Sequence, residues 1–317
     1  MGTVFCIGKN IFFFGNLRKK TKKSFFCTSV FKHSFMQNRG TKSLLPTKKT
    51  AVLAVECMLA FFHIAKSQDL PNLNLFEAHT HCTGTDTLPY RLYCSEMAKS
   101  ADADTAQIAN GLPLVVFLHG AGERGNNNAD QLRMGVRFFL NDSITNRYPF
   151  ILLAPQCPLN KRWVNTDWTL PFHTMDAEPT AEMTGLFWLI DSLVGTGTVD
   201  KNRIYICGIS MGGFGVWDAL QRRPESFAAA IAICGGGDTA MAKHLTHIPI
   251  RTFHGKKDKL VQYRRSLDMY RSIKRTGGNN ITLTSYNNVG HGCWDHAMST
   301  PGLFKWLFSK HNNCTTK

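Results

Sequence analysis

The chain has 317 residues and contains 37 Lys and Arg against 22 Asp and Glu. Eleven of the basic residues and none of the acidic ones lie in residues 1–50, which leaves 26 basic and 22 acidic residues for the rest of the chain. A nucleic-acid-binding protein carries its positive charge on the folded domain, so this distribution argues against nucleic acid as a partner.

Residues 1–66 are predicted to be a basic leader. Lys48 and Lys49 precede an apolar run at 51–65, which is shorter than the 20 or so residues of a membrane span but fits the apolar region of a secretory signal. We therefore expect a signal peptide near 48–66, a secreted or periplasmic protein, and no stable membrane insertion after processing. Glu56 and His63 interrupt the run, and an organellar transit peptide or an uncleaved membrane anchor are the alternatives.

The rest of the chain alternates short apolar runs with amphipathic segments, and we predict an N-terminal linker at 67–86 and one domain at 87–317. The apolar runs, each closed by Gly or Pro, lie at 112–120, 149–155, 203–208, 227–236 and 248–255, and an alternating segment follows at 281–286. Segments with apolar residues at three- and four-residue steps lie at 180–194, 212–223, 263–276 and 301–311. Continuous apolar strands between amphipathic helices predict an α/β protein with a parallel sheet covered on both faces.

Seven cysteines remain outside the leader, with no closely spaced pair. The sequence does not establish any disulfide pairing, a Cys157–Cys293 bridge included. Residues 79–82 (HTHC) and 291–296 (HGCWDH) contain residue types that bind metals, but neither has the paired spacing of a structural zinc site. We expect no metal and no cofactor.

Ser210 lies in GISMG, directly after the apolar run at 203–208 and before an amphipathic segment. A G-x-S-x-G sequence between a strand and a helix is typical of a nucleophile elbow, in which the serine occupies a strained turn. Glycines at 208 and 212 let the strand and the helix pack closely. The sequence therefore predicts that Ser210 is a catalytic nucleophile rather than part of a flexible turn.

An acid and a base follow at the ends of later strands. Asp258 comes just after the run at 248–255, and His291 comes just after the segment at 281–286. The order serine, acid, histidine is that of a nucleophile-elbow hydrolase, so we predict a catalytic triad of Ser210, Asp258 and His291. Asp238 is the competing acid.

Two other histidines, His119 and His254, also lie at strand ends, each before a glycine. We interpret both as structural.

The oxyanion of an acyl-transfer intermediate needs backbone N–H donors. Met211, the residue after the nucleophile, is one candidate. The other is Ala121, within the HGxGxxG sequence that follows the first central strand. No Walker lysine follows these glycines, which argues against a phosphate-binding loop.

Five motifs together, LHGAGERG, APQC with Trp163, GISMGG, HGKKD and GHGCW, resemble the secreted carboxylesterases of the alpha/beta-hydrolase superfamily. This group, often labelled predicted peptidase or phospholipase/carboxylesterase-like, lies near polyhydroxybutyrate depolymerases and feruloyl esterases. The resemblance covers residues 88–310 or so and implies the alpha/beta-hydrolase fold, the same triad, and an oxyanion hole formed by Ala121 and Met211. It also implies an early antiparallel strand at 87–93.

The segment between the run at 227–236 and the next strand is too short for a cap domain, which predicts an open cleft. Trp294, Trp163 and Gln156 are candidate substrate contacts, with Trp168 and Phe172 as further aromatic residues near the cleft. Such faces stack on a sugar ring or a hydroxycinnamoyl group.

We therefore expect a serine hydrolase that cleaves acyl or feruloyl esters on carbohydrate or other bulky substrates. The alternatives are a serine peptidase of the same fold and a non-catalytic binding protein. The oligomeric state stays open.

Overall fold

The computed structural model describes residues 4–7, 10–13, 69–83, 86–99 and 110–312. The chain divides into two units, Met1–Val55 and Glu56–Lys317. In the first unit, β1 (Val4–Ile7) and β2 (Asn10–Phe13) form an antiparallel pair. The predicted signal segment at 48–66 lies outside the described residues. Within the described part of the chain, no helix is long and apolar enough to cross a membrane.

The second unit is built on one sheet of eight strands. Its strands are β3 (Glu77–Thr83), β4 (Asp86–Cys94), β5 (Leu112–Leu118), β6 (Ile151–Pro155), β7 (Val199–Ile209), β8 (Ala229–Ile233), β9 (Ile250–Gly255) and β10 (Ile281–Tyr286). Its α-helices are α1 (Glu96–Lys99), α2 (Asp142–Thr145), α3 (Ala181–Gly195), α4 (Met211–Arg222), α5 (Arg264–Arg275), α6 (Trp294–Met298) and α7 (Leu303–Phe308).

The strands run in the order β10-β9-β8-β7-β5-β6-β4-β3 across the sheet. The six strands from β10 to β6 are parallel to one another, whereas β4 is antiparallel to both β6 and β3. The predicted α/β class with a mostly parallel sheet is confirmed, and so is the antiparallel strand expected at 87–93.

The predicted linker at 67–86 is wrong for its second half. Residues Glu77–Thr83 form β3, the edge strand of the sheet, which pairs with β4 along its whole length. The sequence signal was weak because an edge strand has one solvated side, so His79 and Thr80 replace the continuous apolar run of a buried strand. The folded domain therefore begins before residue 87.

The central strands are buried on both faces because helices cover both sides of the sheet. All residues of β5, β6 and β8 are buried. Side chains alternate between the two faces of a strand: Val115 and Phe117 pack in a cluster with residues of α6 and α7, whereas Leu118 lies against Gly215 of α4. This double cover accounts for the uninterrupted apolar runs in the sequence.

Parallel strands bring their carboxyl ends to one edge of the sheet, where ligands of such sheets bind. The glycine-rich loop at 119–128 follows β5, Ser210 follows β7, Asp258 lies just past β9, and His291 lies past β10. The topology therefore places every residue of the predicted site at the same edge.

The turn between β7 and α4 is closely packed, and its glycines are required for that packing. A Cβ on Gly208 would collide with the carbonyl group of Gly212, and a Cβ on Gly212 would collide with the Leu118 carbonyl of β5. A Cβ on Gly213 would lie 2.5 Å from the carbonyl oxygen of Ile233. The absence of side chains lets the start of α4 sit directly on the backbones of three strands.

Candidate active site

Ser210 occupies a backbone conformation that residues other than glycine rarely adopt, with φ 54° and ψ −118°. Such a conformation costs about 1–3 kcal/mol and persists only where the surroundings hold it. Here the Ser210 N–H donates to the Ile233 carbonyl of β8 at 2.9 Å, and its carbonyl accepts from Phe214 of α4 at 3.1 Å. The serine is thus fixed between β7 and α4, as the G-x-S-x-G sequence predicted.

Ser210, His291 and Asp258 form a continuous chain of hydrogen bonds. His291 Nδ1 lies 2.6 Å from Asp258 Oδ2, and His291 Nε2 lies 2.8 Å from Ser210 Oγ. A carboxylate only accepts hydrogen bonds, so Nδ1 carries the proton and donates to Asp258. Nε2 is then free to accept the proton of the Ser210 hydroxyl.

Asp258 is held as a carboxylate by several donors. Burial raises the pKa of its carboxyl, but hydrogen bonds from His254 and His291, together with their charge, outweigh burial and hold the pKa well below its usual range. Its second oxygen, Oδ1, accepts from the backbone N–H groups of Leu260 and Val261, each at 2.9 Å. These contacts fix the carboxylate plane that orients His291.

His254 contacts Asp258 of the predicted triad. The sequence predicted a structural role for His254 and did not predict this contact. Its Nε2 lies 3.1 Å from Asp258 Oδ2 and 3.0 Å from the Val261 carbonyl oxygen, so Nε2 is a donor. Its Nδ1 lies 2.8 Å from Ser266 Oγ of α5. His254 therefore links the acid to the next helix. The signal in the sequence was the spacing of HGKKD, because His254 is the second-last residue of β9 and Asp258 follows it by four residues.

Asp238, the competing acid, has other partners. Its Oδ1 accepts from the Ala240 N–H at 2.9 Å, and its Oδ2 accepts from the Met175 N–H at 3.0 Å. Asp258, and not Asp238, is the carboxylate in contact with the histidine that reaches Ser210.

The two candidate oxyanion donors are the backbone N–H groups of Ala121 and Met211. Ala121 begins the single turn Ala121–Glu123 after β5, and Met211 is the first residue of α4. Neither N–H donates a hydrogen bond to the part of the chain that the structure describes. A Cβ built on Gly120 would lie 3.6 Å from Ser210 Cβ, so the Ala121 loop passes beside the nucleophile.

The sequence predicted Trp163 and Gln156 as candidate substrate contacts. The structure does not support this role, because both side chains are completely buried. Trp163 donates from Nε1 to the His119 carbonyl oxygen at 3.1 Å. Gln156 accepts from the Asn128 N–H at 2.7 Å and donates to the Glu123 carbonyl oxygen at 3.1 Å. Both side chains hold the loop that carries Ala121 in place, and neither is exposed at the surface of the site.

Trp294 also differs from the sequence expectation. It is only 4% exposed and belongs to the cluster of buried residues beneath the sheet. Its ring lies edge-on to the His291 ring, with centroids 5.9 Å apart. Trp294 therefore packs against the predicted base from inside the protein, and its ring faces are not available for stacking on a sugar.

His119 and Glu123 are buried titratable groups of the same loop. Burial lowers the pKa of His119 to about 4, so the ring is neutral; its Nδ1 donates to the Gly120 carbonyl at 2.6 Å and its Nε2 accepts from the Cys157 N–H at 2.9 Å. Burial also raises the pKa of Glu123 to about 7, although backbone hydrogen bonds from Gly120 and Glu123 oppose the rise.

Cys234, His254 and Asp258 place one donor atom each within 4.8 Å of one another, a set that has the residue types of a metal site. Each of these donor atoms already has a partner: Cys234 lies against the His291 carbonyl, and His254 and Asp258 contact each other. We assign no metal to these residues.

Residues 103–302 match the model of a protein family described as phospholipase/carboxylesterase. A bifunctional acetylxylan esterase/xylanase of Neocallimastix patriciarum is 26% identical over 186 residues, which are 58% of this chain and 25% of that protein. The chain thus corresponds to a quarter of the length of this curated relative.

Solved structures with a similar fold include an esterase and a peptidase. The crystal structure of a thermostable esterase is 32% identical, with a TM-score of 0.66 over 75% of this chain and 64% of that one. An acylaminoacyl peptidase of Pyrococcus horikoshii is 16% identical, with a TM-score of 0.53 over 80% of this chain and 44% of that one. At 16% identity, the similarity to this peptidase shows a shared fold and not a shared activity.

We predict that Glu123→Gln removes a pH-dependent component of stability. The folded pKa of about 7 lies above the ordinary value of 4.5, so the protonated carboxyl is favoured in the folded protein. The contribution of Glu123 to the free energy of unfolding of the wild-type protein should therefore fall by about 3 kcal/mol as the pH rises from 4.5 to 7, and then level off. The Glu123→Gln variant should lack this fall. Urea unfolding at pH 5 and pH 8 measures this difference.

The matched control is Glu178→Gln, because Glu178 is an exposed glutamate in the segment before α3. This variant should show the same difference in free energy of unfolding between pH 5 and pH 8 as the wild type. A Glu123→Gln variant with an unchanged difference would contradict the assignment.

Proposed function

We propose that this chain, which belongs to the phospholipase/carboxylesterase family, is a serine esterase that cleaves carboxylic esters through an acyl-enzyme. The observation that carries the proposal is the hydrogen-bonded chain from Ser210 Oγ through His291 to Asp258. A serine hydroxyl becomes nucleophilic when a neighbouring base accepts its proton, and His291 Nε2 is in position to do so.

In the first half of the reaction, Ser210 Oγ attacks the ester carbonyl carbon while His291 Nε2 takes the hydroxyl proton. The tetrahedral intermediate collapses, the bond to the alcohol oxygen breaks, and His291 gives its proton to the departing alcohol. In the second half, His291 takes a proton from the water that attacks the acyl carbonyl carbon; the bond to Ser210 Oγ then breaks, His291 returns the proton to Oγ, and the acid is released. Asp258 stabilises the charged imidazole in both halves.

The N–H groups of Ala121 and Met211 are proposed to bind the negative oxygen of each tetrahedral intermediate. Neither donates to an acceptor among the described residues; Met211 directly follows Ser210, and the loop of Ala121 passes beside it. Preorganised donors of this kind stabilise charge that develops only in the transition state. The buried contacts of Trp163 and Gln156 support this role because they fix the loop before the substrate arrives.

The connection between β6 and α3, residues 156–180, is proposed to form one wall of the substrate site. His173 on this loop lies 5.9 Å from Phe214, ring centroid to ring centroid, and Phe214 is in the first turn of α4. Gln262, just past β9, donates to the Thr169 carbonyl at 2.9 Å. These contacts support a position along the carboxyl ends of the strands that carry Ser210 and Asp258.

Two large apolar side chains of this loop face solvent: Leu170 is 50% exposed and Phe172 is 71% exposed. The chain at 234–249, where a cap domain would be inserted, contains only the seven-residue 3-10 helix Thr239–Leu245. An open site beside exposed apolar side chains favours bulky esters, and we propose acyl or feruloyl esters on carbohydrate as the substrate class. In this proposal Phe172, rather than the buried Trp163 and Trp294, is the aromatic side chain that contacts the substrate.

A serine peptidase is the second candidate, because the acylaminoacyl peptidase has the same fold. Nothing at the triad separates an ester from an amide. Hydrolysis of peptides with none of p-nitrophenyl acetate or methyl ferulate would favour this candidate over the esterase.

We predict that Ser210→Ala lowers kcat/KM for p-nitrophenyl acetate by about 10,000-fold or more, because no other group of the site can form the acyl-enzyme. The wild-type protein should also react with a fluorophosphonate probe at Ser210, as peptide mapping would detect. Ser299→Ala, at an exposed serine after α6, is the matched control and should retain full activity. Full turnover in Ser210→Ala would show that the triad assignment is wrong, whereas no turnover in the wild type would favour a non-catalytic binding protein.

We predict that Phe172→Ala raises KM for methyl ferulate by about 3- to 10-fold, the loss expected for one aromatic contact. The kcat for p-nitrophenyl acetate should stay unchanged because the small acyl group does not reach this wall. Trp188→Ala is the control, since Trp188 is 53% exposed but stacks on His81 of β3 instead. Equal KM values in all three proteins would remove Phe172 from the substrate site.

Export is proposed from the signal-like run at 48–66. Expression of the full chain in a secreting host should yield a protein in the medium whose N-terminus, read by N-terminal sequencing, lies beyond that run. An intact leader on a protein retained in the cell would favour an organellar or membrane-anchored location.

A further inference from the structure

Two buried thiols lie next to each other behind the predicted base. The sulfur atoms of Cys234 and Cys293 are 3.1 Å apart, and both side chains are completely buried. A disulfide bond is about 2.05 Å long, so a movement of about 1 Å would join them. Cys157, which the sequence left open as a partner of Cys293, is also buried, and its N–H donates to His119 in the oxyanion loop.

Cys234 stands at a junction of the sheet. It directly follows β8, has a positive φ of 52°, and donates its backbone N–H to the Phe253 carbonyl of β9 at 2.9 Å. The preceding residue, Ile233, accepts the Ser210 N–H. Cys234 is therefore one residue away from the contact that holds the nucleophile.

Cys293 belongs to the loop of the base. Its N–H donates to the His291 carbonyl oxygen at 2.8 Å, and that oxygen also lies 3.1 Å from Cys234 Sγ, which donates to it. The loop then continues into α6. In the thiol form, the sulfur atom of Cys234 links this loop to the end of β8 by its contacts with the His291 carbonyl oxygen and with Cys293 Sγ.

We propose that Cys234 and Cys293 form a disulfide bond when the chain folds under oxidising conditions, which fastens the loop of His291 to the end of β8. Cys234 directly follows Ile233, the residue that accepts the Ser210 N–H, and Cys293 is two residues after His291. The bond thereby limits the separation of the base from the nucleophile. The inference rests on the positions of the two sulfur atoms and not on the proposed esterase activity.

The oxidant is a disulfide of low molecular weight, such as oxidised glutathione. The thiolate of one cysteine attacks an oxidant sulfur, forms a mixed disulfide and releases one thiol. The second cysteine then attacks the mixed disulfide and releases the second thiol. Two protein thiols are oxidised and lose two protons and two electrons, while one oxidant disulfide is reduced to two thiols.

The burial of the pair determines when the bond forms. Only the thiolate reacts, and a completely buried thiol is kept from both solvent and oxidant. The exchange is therefore fast while the chain is still folding and slow in the folded protein. For the same reason, a reductant should open the bond slowly unless the protein is first unfolded.

The experiment refolds the full chain with oxidised glutathione or with excess thiol, blocks free thiols under denaturing conditions, and maps peptides by mass spectrometry. The oxidised sample should contain one cross-linked peptide pair, lighter by two hydrogen atoms, that includes Cys234 and Cys293. Its melting temperature should exceed that of the reduced sample by roughly 5–15 °C. Neither readout depends on catalysis, so failure here is distinct from failure of the esterase proposal.

Two variants separate this pair from other thiols. Cys293→Ala should lose both the cross-link and the difference in melting temperature between the redox conditions. Cys157→Ala, at another buried cysteine, should keep both. A wild-type protein that refolds in oxidised glutathione with Cys234 and Cys293 both blocked, or with Cys157 in the cross-link, would overturn the proposal.

Discussion

The close approach of three backbones around Ser210 is the constraint on which the site depends. The serine adopts a positive φ that costs free energy, and it does so because α4 starts directly against β5 and β7 with no side chain between them. Gly208 and Gly212 make that contact possible, since a Cβ at either position would collide with a carbonyl group. The Ile233 carbonyl then fixes the serine N–H, and the hydroxyl is left facing His291.

Around this turn, buried polar side chains hold the groups of the proposed triad and oxyanion hole in position. The loop of Ala121 is fixed by His119, Gln156 and Trp163, none of which is exposed, while Asp258 is fixed by His254 and by backbone N–H groups. A buried polar group without a partner is costly, so each of these contacts has few alternatives. Donors aligned before the substrate binds need no reorganisation during the reaction.

The buried aromatic residues show why residue type alone does not assign a substrate contact. Tryptophans near a predicted catalytic loop are compatible with stacking on a sugar and equally with packing in the core. Trp163 lies beneath the Ala121 loop and Trp294 lies beneath His291, whereas the exposed apolar surface belongs to Leu170 and Phe172. The two tryptophans support the backbone of the site, and the wall that we propose for the substrate is formed by the exposed pair instead.

The sequence by itself determined the parallel sheet and the positions of Ser210, Asp258 and His291, because burial on both faces and strand-end turns impose local patterns of apolar residues and glycines. It did not determine the edge strand at 77–83, because this strand is partly exposed to solvent and its sequence has no continuous apolar run. Only the tertiary structure decided which tryptophans are buried, that His254 contacts the acid, and that Cys234 meets Cys293. These contacts join residues from different loops at one end of the sheet, and their distances depend on strand order and twist, which no local pattern encodes.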